Sequence, residues 1–298
     1  MTDNLIEISD LYKSFGPVAA LQGVNLQVNR GSVHGFLGPN GAGKSTAIRC
    51  LFGMLRPDNG TIRLGGYDPT RNPTQATVRA AYVPGDVNLW PNLTGGQVIK
   101  TLSRIRHKAA GTLVSDAEKA RQADLINRFV LDPNKKIRAY SKGNRQKVML
   151  VAALSADVDV LVLDEPTSGL DPLIQQEFLK AVRERRDEGV AVLMSSHILS
   201  EIQEVADFIS IIRAGEIVES GPLASLSHMR GMRIRAVTAT GETYDQLHTG
   251  AEINATLQEL VHRNATDISC CPVSLEELFM QHYQVESPTA ATATLPKD

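Results

Sequence analysis

The stretch Gly38-Pro39-Asn40-Gly41-Ala42-Gly43-Lys44-Ser45 decides how the rest of this 298-residue sequence is read. It fits the pattern G-x-x-x-x-G-K-[ST], whose glycines let a backbone curl so that successive N–H groups point inward at phosphate oxygens. Upstream, Val33-His34-Gly35-Phe36-Leu37 reads as an apolar strand, and downstream Thr46 to Phe52 has helical spacing. Strand, glycine-rich loop and helix in that order form a βα unit, the context that supports the match. Residues Gly38 to Ser45, with Thr46 at the helix start, are therefore the candidate nucleotide-binding residues. Lys44 is expected to reach the β- and γ-phosphates and the Ser45 hydroxyl to ligate Mg2+. A glycine-rich turn that binds nothing is the plain alternative, which eight matched positions in this context set aside.

Working outward, Leu5-Ile6-Glu7-Ile8 and Val24-Asn25-Leu26-Gln27-Val28 alternate apolar and polar at period two, predicting an antiparallel hairpin layer. From about Asp86 to Ala156 the pattern turns helical. Val98, Leu102 and Ile105 fall at helical spacing, and Leu125, Phe129 and the run Val148 to Leu154 also fit helices. Beyond them Val160 to Leu163 and Val190 to Met194 are unbroken apolar runs, as in a parallel sheet covered on both faces. Between the runs lies a helix with Asp171 as N-cap, Pro172 at the first position and Gly189 as the stop. That order predicts a right-handed crossover, and a hairpin over Gly215 to Gly221 follows Ile211-Ile212.

The predicted fold class is α/β: a P-loop NTPase core with an antiparallel β subdomain, an inserted helical subdomain and a small α+β C-terminal segment. The expected boundaries are 1–220 for the ATPase domain, with its helical subdomain at about 86–156, and 221–283 for the accessory segment. That segment is expected to carry short strands and a final helix around Leu275 to Phe279. The Ala/Thr/Pro-rich end, 284–298, is read as a disordered tail.

Composition limits the function classes. Lys+Arg 31 against Asp+Glu 33 leaves no polybasic excess, so nucleic acid is not the expected partner. The longest uncharged stretch, Ser14 to Asn29, is broken by Pro17, Gln22, Asn25 and Gln27 and falls short of the roughly 18 apolar residues of a spanning helix. Asp3, Glu7 and Asp10 mark a start unlike a signal peptide, so a cytoplasmic chain is expected. Cys50, Cys270 and Cys271 have no framework spacing, which fits a reducing compartment.

Leu163-Asp164-Glu165 ends the first of the two late strands with adjacent acids. A strand buried along its length exposes function at its carboxyl end, so a surface charge pair is the weaker reading. Asp164 is expected to hold Mg2+ through water, and Glu165 to orient and polarise the water that attacks the γ-phosphorus. His197 follows Ser195-Ser196 at the end of the next strand. On local grounds it is equally a γ-phosphate contact, a support for the carboxylate, or an ordinary satisfied imidazole.

Here the residues resemble a known family, the ATP-binding cassette ATPases. Tyr140-Ser141-Lys142-Gly143-Asn144-Arg145-Gln146-Lys147 resembles its L-S-G-G-Q signature with the R-Q-[KR] continuation. Asp164-Glu165-Pro166-Thr167-Ser168-Gly169-Leu170-Asp171 resembles its Walker B and D-loop string, and His197 falls on its switch histidine. The resemblance covers about residues 5 to 220 and favours the catalytic reading of His197 beside Glu165. It implies an ATP-sandwich dimer in which Ser141, Lys142, Gly143 and Asn144 of one copy, with Asp171 in the crossing loop, complete the site of the other. Phe15 aligns with the aromatic that stacks on adenine, with Tyr12 as the alternative. The implied cofactors are ATP and Mg2+.

Three positions depart from the family pattern. Gly85 stands in the slot of the Gln that touches the metal or the water, and Asp86 is not assigned as a ligand. Lys142 and Asn144 replace a Gly and a Gln of the signature. Farther on, Pro272-Val273-Ser274-Leu275-Glu276-Glu277-Leu278-Phe279 resembles the closing segment of drug- and antibiotic-export subunits. The resemblance thus implies a subunit that powers export through a separate transmembrane permease, held at the inner face of the membrane by that partner. The rivals are a soluble cassette acting on nucleic acid or the ribosome, and a regulatory ATP-binding module with weak hydrolysis.

Overall fold

The computed structural model describes residues 4–228, 232–238, 241–248 and 252–272. The chain divides into two compact units, Met1–Leu223 and Ala224–Asp298.

In the first unit, β1 (Asn4–Phe15) and β2 (Val18–Asn29) form the hairpin expected from their alternation, and β4 (Asn59–Leu64) adds to β1 to give the order β2-β1-β4. The hairpin turns at Gly16, whose φ of 58° lies in the left-handed region that glycine adopts without strain. Ile6, Ile8, Val24, Leu26 and Val28 face one side of this layer and are buried against α1 (Lys44–Leu51) and the central sheet.

That central sheet contains β3 (Val33–Leu37), β5 (Ala80–Val83), β6 (Val160–Asp164), β7 (Ala191–Ser196), β8 (Phe208–Arg213) and β9 (Glu216–Pro222). The order is β5-β6-β7-β3-β8-β9, with β9 antiparallel to β8 and the other neighbours parallel. Every residue of β3, β6 and β7 is buried, which is why Val160 to Leu163 and Ala191 to Met194 read as unbroken apolar runs. The crossover helix α6 (Pro172–Asp187) starts as expected, with the Asp171 carboxylate accepting from Ile174 N–H at 3.1 Å. The short α2 (Pro73–Val78), and β4 and β5, lie where the sequence offers too few periodic positions to read.

The helical region begins later than the expected residue 86. A loop runs from Pro84 to Thr94, and α3 (Gly95–Ala110) opens on a capping box between Thr94 and Gln97. Next come α4 (Asp116–Arg128), a single 3-10 turn at Ile137–Ala139 and α5 (Lys142–Leu154). Glu118 of α4 is fully buried and ties these pieces together. Its carboxylate accepts from the Ser103 hydroxyl, from His107 at 3.0 Å and from Asp157 N–H at 3.1 Å. Burial alone would raise its pKa, but these bonds and the Arg106 guanidinium outweigh it and hold the carboxyl below its usual range.

The second unit is a small α+β arrangement. Strands β10 (Met232–Val237), β11 (Thr243–His248) and β12 (Thr266–Pro272) pair antiparallel in the order β11-β10-β12. Between β7 and β8 the first unit carries the short α7 (Leu199–Gln203), and α8 (Leu223–His228) begins at the last residue of that unit. The second unit also contains α9 (Glu252–His262), whose Leu260 is buried with Ile234 and Ala236. The expected helix at Leu275 to Phe279 and the expected tail at 284–298 lie outside the described residues. Among the described residues no helix is long and apolar enough to cross a membrane.

One buried titratable group couples this fold to pH. His34 in β3 is 5% exposed and its Nε2 lies 2.8 Å from the Ser210 hydroxyl of β8. Burial pushes its pKa from 6.5 down to about 4, against a smaller opposing effect of the Gln27 backbone. The folded pKa lies below the unfolded one, so its stabilisation is complete above about pH 6.5. As the pH falls from there the unfolded chain takes up the proton first, and stability is lost down to about pH 4. The contribution is roughly 3 kcal/mol. Denaturant titrations at pH 7 and pH 4.5 should show His34→Gln losing less stability between the two than the parental chain; equal losses would contradict the assignment.

Candidate functional site

Three adjacent strands of the central sheet, β6, β7 and β3, bring the candidate site together at their carboxyl ends. After Leu37 the chain enters the glycine-rich loop, and the loop's shape leaves no room for side chains at its two ends. A Cβ on Gly38 would lie 2.4 Å from the Ile212 carbonyl oxygen, and one on Gly43 would lie 2.6 Å from that of Ala20. Gly43 also has φ of 113° and Gly41 of 83°. The loop is anchored on both sides: Gly38 N–H donates to Ser196 O at 3.3 Å, and Gly215 N–H donates to Ala42 O at 3.0 Å. No side chain caps the start of α1 and no acid lies in its first turn, an arrangement suited to an anion. Ser45 and Thr46, on that first turn, are half-buried, while Pro39 is half-buried and Asn40 exposed on the loop.

Lys44 is only 4% exposed. Its ammonium donates to Gly38 O at 2.6 Å and Pro39 O at 3.1 Å and sits 3.5 Å from Glu165 Oε1. Burial lowers its pKa, while the Glu165 and Asp164 carboxylates oppose the shift. Asp164 ends β6 and is buried, accepting a hydrogen bond from the Ser195 hydroxyl. At the next residue the backbone turns sharply: Glu165 has φ of 47°, a left-handed conformation that costs a non-glycine residue about 1–2 kcal/mol. The turn leaves Glu165 Oε1 between Lys44 and His197, whose Nδ1 is 3.5 Å away. Asp10, Val130 and Ala214 share nearly this φ, so what sets Glu165 apart is where the turn puts its carboxylate. The turn carrying His197 is held by Ser196, whose hydroxyl donates to Glu201 at 2.9 Å and accepts from Ile198 N–H at 2.9 Å.

The signature-like residues form a second group. Ser141 caps α5, its hydroxyl accepting from Asn144 N–H at 3.3 Å. Lys142 and Asn144 lie in the helix's first turn, and Gly143 packs backbone to backbone on the following loop, where a Cβ would lie 2.3 Å from Gly169 O. Gln146 donates to Pro166 O at 3.0 Å, and Lys147 pairs with Asp171 at 3.7 Å. Asp171 is therefore engaged twice in its own chain, as the cap of α6 and as the partner of Lys147. Among the described residues no hydrogen bond or ion pair joins this group to Gly38–Thr46 or His197.

Phe15 ends β1 half exposed, with the Lys13 ammonium 5.6 Å from its ring centroid. Tyr12 is exposed to a similar degree, but its hydroxyl lies against Gly23, so its ring is seated on β2. Gly85 lies beside the two acids: a Cβ there would be 3.4 Å from Asp164 O and 3.8 Å from Glu165 Cβ. Ser195, Ser196, Glu201 and Gln146 were not singled out as site residues from sequence. For the serines the available signal was two hydroxyls immediately before His197. Which acid Ser195 would face depends on strand register, which pairs it with Asp164.

Comparison with known proteins agrees with this geometry. Residues 21–168 match the family model described as ABC transporter. The chain is 37% identical over 233 residues to a daunorubicin resistance ATP-binding protein of Streptomyces coeruleorubidus, covering 78% of this chain and 72% of that protein. A solved ATP-binding subunit of an ABC transporter superposes with a TM-score of 0.68 at 31% identity, covering 74% of this chain and 91% of the other. The dimeric structure of a bacterial ABC transporter cassette superposes with a TM-score of 0.64 at 21% identity, covering 73% and 98%. Identity of 37% across 78% of this chain, together with the match over residues 21–168, shows that the chain belongs to the ABC transporter family as an ATP-hydrolysing ATP-binding subunit.

Proposed function

We propose that two copies of this chain close on two ATP molecules and, by hydrolysing them, drive export of an apolar drug or antibiotic through a separate membrane subunit. The observation that carries the reading is Glu165 Oε1, placed 3.5 Å from both the Lys44 ammonium and His197 Nδ1 at the mouth of the glycine-rich loop. In this reading Gly41 and Gly43, with Lys44 and Ser45 at the helix start, present backbone N–H groups to the β- and γ-phosphates, and the Lys44 ammonium neutralises their charge. Glu165 orients the attacking water and takes up its proton, and His197 holds Glu165 in place or meets the γ-phosphate. Phe15 offers an exposed ring face to the adenine.

The oxygen donors present fit Mg2+. Asp164 supplies a buried carboxylate and Ser45 a hydroxyl at the helix start, both hard ligands of the kind that ion takes. Bound there, Mg2+ would neutralise charge developing on the transferred phosphoryl group.

The second copy is proposed because the signature group and the phosphate loop are not joined within one chain. Ser141, Lys142, Gly143 and Asn144 lie at the start of α5, which has no acid in its first turn and adds the positive charge of Lys142. That end of the helix suits a γ-phosphate held by another copy, with Asp171 in the adjoining loop, and the dimeric cassette described above supports the arrangement. Export of a drug is supported by the daunorubicin-resistance relative. The path across the membrane is assigned to a partner, and the chain to the inner face beside it.

Two substitutions separate binding from hydrolysis. Lys44→Ala should abolish the rise in melting temperature that ATP produces, because the phosphates lose their buried countercharge; an unchanged rise would contradict the loop's role. Glu165→Gln should keep that rise and accumulate an ATP-bound dimer on size-exclusion chromatography, while hydrolysis falls at least about a hundredfold. Parental hydrolysis in Glu165→Gln would remove Glu165 from the mechanism.

A further inference from the structure

The two acids at the end of β6 depend on a residue of the neighbouring strand. Ser195 of β7 lies directly opposite Asp164 in the parallel register and is fully buried. Its hydroxyl donates to Asp164 Oδ1. The Ser195 hydroxyl oxygen in turn accepts from Glu165 N–H at 3.2 Å, and the Ser195 carbonyl oxygen accepts from that N–H at 3.1 Å. One side chain thus fixes the carboxylate of the first acid and the backbone of the second, at the point where φ turns to 47°.

We infer that Ser195 is a positioning residue for the metal-dependent step, setting the orientation of Asp164 toward Mg2+ and the strained turn that presents Glu165. The inference rests on the reading of this site as a Mg2+-dependent ATPase. Its physical basis is that a buried carboxylate with one hydroxyl donor cannot rotate freely without losing that bond. Holding Oδ1 in this way sets the orientation in which the carboxylate would meet the ion's water shell. An apolar residue at 195 would leave Oδ1 buried without this donor and release Glu165 N–H to a single acceptor. The β7 residue that follows, Ser196, serves the His197 turn instead, so the two adjacent serines divide the work between the acids and the histidine.

The test compares the parental full-length chain with Ser195→Ala, Ser195→Cys and Ser195→Thr. Melting temperature is read with ATP plus EDTA and with ATP plus Mg2+, and ATP hydrolysis is titrated with Mg2+. Ser195→Ala should keep the shift with ATP plus EDTA, lose the extra shift that Mg2+ adds, and need about tenfold more Mg2+ for half-maximal hydrolysis. Ser195→Cys fills the same space with a weaker donor, should behave like Ser195→Ala, and decides the matter if that variant does not fold. Ser195→Thr retains the hydroxyl and should restore the parental Mg2+ dependence. Parental Mg2+ behaviour in Ser195→Ala or Ser195→Cys overturns the inference alone. A parental chain with no ATP shift at all overturns the nucleotide reading, and this inference with it.

Discussion

A lysine ammonium almost completely withdrawn from water is the constraint around which this molecule is arranged. Leaving such a charge without partners would cost several kcal/mol. The loop answers with two carbonyl oxygens, Gly38 O and Pro39 O, and β6 answers with the Glu165 carboxylate. Those partners exist only if the loop curls as it does, which excludes side chains at Gly38 and Gly43. They also require β6 to lie within reach of the loop that follows β3, and the strand order places only β7 between them. The parallel sheet, the tight loop and the turn at Glu165 thus meet around one buried charge, which is proposed to serve a nucleotide's phosphates as well.

The signature region is built on a different principle. Its helix start is tied to the loop after β6 by Gly143 against Gly169, by Gln146 on Pro166 and by Lys147 on Asp171. These contacts run along the segment that begins with Asp164 and Glu165. A change in Glu165 therefore has a short mechanical route, through residues 166–171, to the surface proposed to meet the second copy. Asp171 ends that route as both the cap of α6 and the partner of Lys147, and Gly85 lies beside both acids at its start.

How far this could be read from sequence depended on whether a feature is local. The curled loop over Gly38 to Ser45 was legible because a tight turn between strand and helix needs glycines at fixed positions. The crossover helix was legible because Asp171, Pro172 and Gly189 are end signals with separate physical causes. Ser195 was not, since its partner is set by the register between β6 and β7, and nothing in either strand's apolar run encodes register. The close approach of Gly143 to Gly169 was hidden for the same reason: both glycines stood in view, and only the packing of α5 on the loop shows that Gly143 has no room for a side chain, while Gly169 is held to glycine by its φ of 79°. The later start of the helical region reflects the capping box at Thr94 and Gln97, eight residues and more past the change in composition that suggested residue 86.

If Lys44 and Glu165 of one chain act with the Ser141 group of another copy, two inactive variants should rescue each other: a Lys44→Ala chain, which keeps its signature, and a Ser141→Ala chain, which keeps its phosphate loop. Each should hydrolyse ATP poorly alone, and the mixture should recover activity, because one composite site in each mixed dimer is intact. A Ser141→Ala chain that hydrolyses at the parental rate by itself, or a mixture no more active than its components, would contradict this pairing.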